Sequence, residues 1–240
     1  MSAPDSIAQR DELNVADLKP PPLTPPYLYK CPLLPSRLAQ GALFIYLLVS
    51  LAGSAFTALQ IALIFLDEKG TPTPPVLWEI NAAAHHYEGY ITLAVFVITA
   101  AFFGLWLHRV ASNALSFNPR ALPDTPAMSV GWYFIPIANL FKPYQSMQAI
   151  DKASSTHGPH SAARLLPWWW ALWLLTGWVE QAFEAFWNNA ETNAEIMKVT
   201  AFYEVTYLGS CALTILAMMI VRRVTTAQML QHHSAIRSPA

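Results

Sequence analysis

MSVGWYFIPIANLF, residues 128–141, running on into KPYQSMQAI, residues 142–150, is the stretch whose reading decides the fold. It is apolar, but only 14 residues separate Ala127 from Lys142, and a straight helix needs about 20 to cross a hydrocarbon core. Pro136 in its middle has no N–H to give, and Pro143 follows directly on Lys142, so a helix here breaks or ends early. The expectation is a broken helix over residues 128–152, re-entrant or lying in the interface. If it spanned, every later segment would change sides.

Working outward, four uncharged runs surround it. Leu38–Leu66 has 29 residues and is stopped by Asp67-Glu68-Lys69-Gly70 and the proline-rich turn Thr71–Pro75. Tyr90–Leu107 has 18 and closes on His108-Arg109, and Leu165–Val179 carries Trp168, Trp169, Trp170, Trp173 and Trp178. Val205–Val221 has 17 and ends on Arg222-Arg223. Helices are therefore expected at about 38–66, 87–112, 165–188 and 200–222, inside a membrane domain over 37–224. Residues 1–36, with Lys19-Pro20-Pro21-Pro22 and Pro25-Pro26, read as a disordered proline-rich tail, and residues 225–240 as a second, polar tail.

Composition agrees. Of 240 residues, 54% are hydrophobic and 12% charged, against about 25% charged in an average soluble protein. The fold class is all-α, a polytopic membrane helix bundle of four spanning helices plus the broken segment. A net charge of -1 without a basic stripe gives no footprint for nucleic acid, so the bilayer and a protein partner or second copy are the partners expected. Cys31 and Cys211, far apart, make neither a disulfide framework nor a metal knuckle.

Lys and Arg near membrane ends stay on the cytoplasmic side. With the motif dipping in and returning, 12 basic residues fall inside, termini included, against Lys69 and Lys198 outside. With the motif spanning, the division is 7 against 7, so the first topology is preferred. It leaves an acidic outer rim that includes Asp67, Glu68, Glu79, Glu88, Glu180, Glu184 and Glu204.

Two constellations are candidates for function. In the motif, Gly131, Trp132, Pro136, Asn139, Lys142, Pro143, Tyr144 and Gln145 combine a break, a polar group beside it and a snorkelling cation, which suits a lipid or protein partner. Near the outer rim, Glu180 and Glu184 are four apart on one helical face and are candidates for burial, while His85 and Glu88 are three apart. Converging, the four would make a His/Glu metal site of the kind built inside helix bundles. No GxSxG, HExxH, Walker or Gly-rich dinucleotide motif occurs, so no catalytic residue is assigned and no cofactor is expected. The functions in view are a non-enzymatic module binding lipid or protein through the motif, a small-solute transporter or channel subunit, and an outer-face metalloenzyme.

The run Gly131–Leu140, then Lys142-Pro143-Tyr144-Gln145 and Ala149–Ser154, closely resembles the signature of a family of bacterial membrane proteins catalogued as a domain of unknown function, DUF4328. The resemblance extends back to Trp106-Leu107-His108-Arg109 and forward to Trp169–Leu175. It implies a multi-helix bacterial inner-membrane protein and brings no catalytic residue.

Overall fold

The computed structural model describes residues 27–155, 160–187 and 192–237, without the side chains of 180–187 and 193–194. Every described element is helical: α1 (Leu33–Glu68), α2 (Pro75–Phe117), α3 (Pro126–Gly131), α4 (Lys142–Ser154), α5 (Leu166–Trp187) and α6 (Asn193–Arg237). Two single 3₁₀ turns, Trp132–Phe134 and Ala138–Leu140, join α3 to α4. α1 packs on both α2 and α6, α5 packs on α6, and α3 and α4 lie where α2 ends. The end of the bundle holding α3 and α4 is called the motif end, the other the far end.

Two helices outrun the uncharged segments that announce them. α2 has 43 residues and α6 has 45, roughly 65 Å each at about 1.5 Å per residue, twice a hydrocarbon core of about 30 Å. α2 starts at Pro75, whose fixed φ suits a first helical turn and which needs no N–H there, and Trp78 Nε1 donates to Thr73 Oγ1 at 2.9 Å. α6 continues past Arg222-Arg223 through Thr225–Arg237, the stretch that reads as a tail. It does so because Ala217, Ile220, Val221, Val224, Ala227 and Gln228 recur at helical spacing and are all buried.

α1, α2 and α6 are long and apolar enough to cross a membrane. Their polarity is turned inside out at the far end: Ile91, Leu93, Phe96, Val97 and Ile98 of α2 are exposed, while Asn81 and Thr99 are buried. α5 begins on the third uncharged run, its side chains beyond Val179 lying outside the described residues.

The hydrophobic core sits at the motif end. Trp106, Leu107, Val110, Ala111 and Ala114 of α2, Met147 and Ile150 of α4, Leu166, Trp169 and Trp170 of α5, and Ile220, Val221 and Val224 of α6 close around one another.

Candidate functional site

The motif is a hairpin built from short turns. Thr125 caps α3, its hydroxyl accepting the Met128 N–H at 3.4 Å, and Pro126 takes the first helical position. The chain then bends through Trp132–Phe134 and runs extended at Ile135. At Ile137 φ is 66° and ψ -54°, and the Ala138 N–H donates to the Pro136 carbonyl at 2.8 Å. This is the rare positive-φ γ-turn, on a β-branched residue, a conformation that costs about 1–3 kcal/mol and persists only when its surroundings hold it.

Those surroundings come from both arms. The Asp124 carboxylate accepts from Trp132 Nε1 at 3.2 Å and lies 4.0 Å from Lys142 Nζ, which sits 5.1 Å from the centre of the Trp132 ring. One residue before the hairpin thus pins both its arms. On the α5 side Trp170 Nε1 donates to the Leu140 carbonyl at 3.2 Å, and Tyr133 meets Trp173 edge-on with centroids 6.1 Å apart. What this scaffold presents outward is apolar. Phe134 is 79% and Ile137 76% exposed, and Ile135, Leu140 and Phe141 join them.

A connected polar core lies beneath. Asn113 donates from Nδ2 to the Lys30 carbonyl at 2.9 Å and to Gln228 Oε1 at 3.0 Å, while its Oδ1 accepts the Lys30 N–H at 3.0 Å. Gln228 Nε2 donates to the Val110 carbonyl at 2.8 Å and to Ser154 Oγ at 3.0 Å. One buried cluster therefore ties α2, α4, α6 and the segment before α1. Buried Asp151 accepts from Ser161 Oγ and the Ala162 N–H, both at 2.7 Å, and Arg223 Nη1 donates to the Ser161 carbonyl at 3.1 Å, so the entry to α5 is stapled to α4 and α6. At the edge of this layer Tyr29 stacks on His232 at 3.8 Å, and burial, with a lesser contribution from Cys31, pushes its phenol up.

The sequence candidates divide among these roles. Trp132 and Lys142 are brought together through Asp124. Gly131 ends α3, where a Cβ would lie 3.4 Å from Met128 Sδ. Pro136 supplies the γ-turn carbonyl, and Pro143 is buried in the first turn of α4. Tyr144 stacks near Trp170 at 6.4 Å and accepts from Gln148 Nε2 at 2.8 Å, while Gln145 is exposed. Asn139 has a buried Oδ1 without a hydrogen-bond partner, as do the Tyr133 hydroxyl and Ser129 Oγ. Burial pushes the Tyr133 phenol up. Of the four metal candidates, His85 Nδ1 and Glu88 Oε2 are 3.1 Å apart, and the Glu180 and Glu184 side chains lie outside the described residues. Among the described residues no three His, Cys, Asp or Glu side chains are grouped to hold a metal ion.

Asp124, Asp151, Asn113 and Gln228 are absent from the sequence candidates. Asn113 and Gln228 are 115 residues apart and carry no motif, so no local signal joins them. Asp124 had one: an acid just before an aromatic-rich hairpin that contains a lysine.

The motif, its scaffold and the helix that leads into it all fall inside residues 70–226, which match the family model described as Domain of unknown function (DUF4328). The chain belongs to the DUF4328 family. Neither a curated protein nor a solved structure matches it. The DUF4328 match covers α2 to most of α6, so the hairpin, the Asp151 staple and the far-end stripe of α2 all belong to the family region, whereas Lys30 and α1 precede it.

Proposed function

We propose that this chain is a multi-pass inner-membrane protein of four spanning helices with both termini in the cytoplasm, and a non-enzymatic module whose GWYFIPIANLFKPYQ hairpin engages the lipid of the cytoplasmic leaflet. The observation that carries this is the outward apolar tip, with Phe134 and Ile137 both more than three-quarters exposed on a turn that Asp124, Lys142 and Trp170 hold in a strained shape. In water such a tip would be an aggregation liability. Dipped into acyl chains it is stabilised, while Lys142 reaches headgroup phosphates and Trp132 sits at interfacial depth. The backbone of the tip supports shallow immersion, because its N–H and C=O groups largely bond one another across the two 3₁₀ turns.

The test is depth-resolved fluorescence quenching in vesicles. A small polarity-sensitive label at Ile137→Cys, in a background lacking Cys31 and Cys211, should be quenched by lipids brominated on the acyl chain and shielded from aqueous iodide. The same label at Gln145→Cys should behave in the opposite way. Free iodide access at position 137 would place the tip in water and sink the reading. Single cysteines at Lys152 and Lys198 report the topology: the reading needs 152 to label from the cytoplasmic face and 198 from the other.

A further inference from the structure

At the far end, five buried polar atoms without a hydrogen-bond partner lie on α1 and the two helices packed against it: Thr57 Oγ1 of α1, Asn81 Oδ1, His85 Nε2 and Thr92 Oγ1 of α2, and Glu204 Oε2 of α6. Thr57 is 0% and Asn81 4% exposed. Buried polar groups are almost always bonded, so five orphans in one region call for an occupant.

Helix register puts them at neighbouring levels. α2 runs against α1 with Thr99 Oγ1 donating to the Ala42 carbonyl at 3.3 Å and Phe96 beside Tyr46, centroids 6.3 Å apart. Continued outward, this antiparallel register sets His85 level with Thr57 and Asn81 about one turn beyond. α6 runs against α1 with Ser54 Oγ donating to Glu204 Oε1 at 2.5 Å, and a Cβ on Gly53 would meet the Tyr207 ring at 2.6 Å. Glu204 and Glu88 therefore both lie near the level of Ser54. At about 100° per residue, Thr57 points midway between Ala42, which faces α2, and Ser54, which faces α6. On α2, Asn81, His85, Glu88 and Thr92 all fall within about 40° of Thr99, the residue that faces α1.

The chemistry of the orphans is one-sided. A carboxylate only accepts, so His85 Nδ1–H donates to Glu88 Oε2 at 3.1 Å, and a ring carrying that one proton offers Nε2 as a lone pair. Asn81 Oδ1 and Glu204 Oε2 are acceptors as well, and the Thr57 hydroxyl can be one. His85 partners Glu88, but among the described residues no Lys or Arg answers Glu204. α1 from Leu38 and α2 as far as His108 carry no Lys or Arg; Lys69 lies over the Phe65 ring at 4.2 Å, and Lys198 is exposed.

We propose that the wedge between α1, α2 and α6 is a binding site for a primary ammonium group, its three N–H donors directed to Glu204 Oε2, His85 Nε2 and Thr57 Oγ1, with Asn81 Oδ1 about one turn further out. A primary ammonium brings three donors and the missing positive charge in one compact group. It can come from a free alkylamine or from an ethanolamine lipid headgroup. This assignment is independent of the hairpin's contact with lipid.

The experiment is calorimetric titration of the full chain in phosphatidylcholine nanodiscs with methylammonium, with tetramethylammonium, which has no N–H, as control. Saturable heat is expected from methylammonium alone, weakened at least 10-fold in Glu204→Gln and in Thr57→Val, a near-isosteric change that keeps the site measurable if the first variant does not fold. Repeating the titration in nanodiscs containing phosphatidylethanolamine separates the sources: suppressed heat means that the headgroup occupies the wedge, unchanged heat that free amine does. Absence of saturable methylammonium heat from folded protein, with the orphans then served by water alone, overturns the proposal. So does equal binding of tetramethylammonium, or displacement of methylammonium by stoichiometric Zn²⁺.

Discussion

The two ends of this bundle bury polar groups in different settings. At the motif end the interior is apolar, and a linked network runs through it: Asn113, Gln228 and Ser154 satisfy one another and three backbone segments, and Asp151 takes two short bonds, while Ser129 Oγ, the Tyr133 hydroxyl and Asn139 Oδ1 beside them lack partners. At the far end the inward stripe of α2 is Asn81, His85, Glu88, Thr92 and Thr99, the apolar residues face out, and polar atoms are left without partners. The difference shows in what holds each end. At the motif end Trp106, Leu107 and Val110 close around side chains of α4, α5 and α6. Where the surroundings are as apolar as a leucine, helices associate through small residues and close contact, and Gly53 against Tyr207 is of that kind. A polar interior then costs less association energy.

Substitutions can break or sharpen this contrast. The largest effect is expected from Trp106→Ala, which empties a 0% exposed site and removes the 3.0 Å bond to Thr225 Oγ1; thermal unfolding in detergent should show a loss of about 4 kcal/mol. Gln228→Leu leaves Asn113 and the Val110 carbonyl short of partners at the motif end and should cost about 2–3 kcal/mol in the same assay. A neutral result would mean that the network is not what holds that end together. Ile137→Gly relieves the positive φ and should raise stability by about 1 kcal/mol while weakening acyl-chain contact in the quenching assay. At the far end, Glu204→Gln keeps an acceptor for Ser54 and removes an unanswered charge, so stability should change by less than about 1 kcal/mol and in the favourable direction. A loss as large as that of Gln228→Leu would erase the distinction between the ends. Asp124→Asn, at a partly exposed ion pair of 4.0 Å, should cost only about 0.5 kcal/mol and loosen the hairpin without unfolding it.

Much of the fold is legible without coordinates. Pro136 breaks the motif where its missing N–H says it must, and the chain does reverse there; the run from Leu165 becomes α5 within a residue. Misplaced are the starts and stops that depend on neighbours. Residues 75–86 lie outside the helix expected at about 87–112, yet they are helical, with Asn81 and His85 on a stripe that α1 covers while Glu79 is exposed. Thr225–Arg237 reads as a tail because Arg222-Arg223 looks like a membrane exit, yet its buried face at Val224, Ala227 and Gln228 carries the helix on.

The site divides in the same way. Trp132, Pro136 and Lys142 could be picked out because a break, an interfacial ring and a cation within ten residues form a local pattern. Asp151, Asn113, Thr57 and Asn81 could not, because each acquires its meaning from a group on another helix, and His85 was legible only through its spacing to Glu88. By itself the sequence determined the class, the apolar helices and the broken hairpin, all of which follow from hydropathy and proline stereochemistry along the chain. Only the tertiary structure decided which polar groups are satisfied and which are left waiting, because hydrogen bonds between helices depend on register and rotation, and no single segment encodes either.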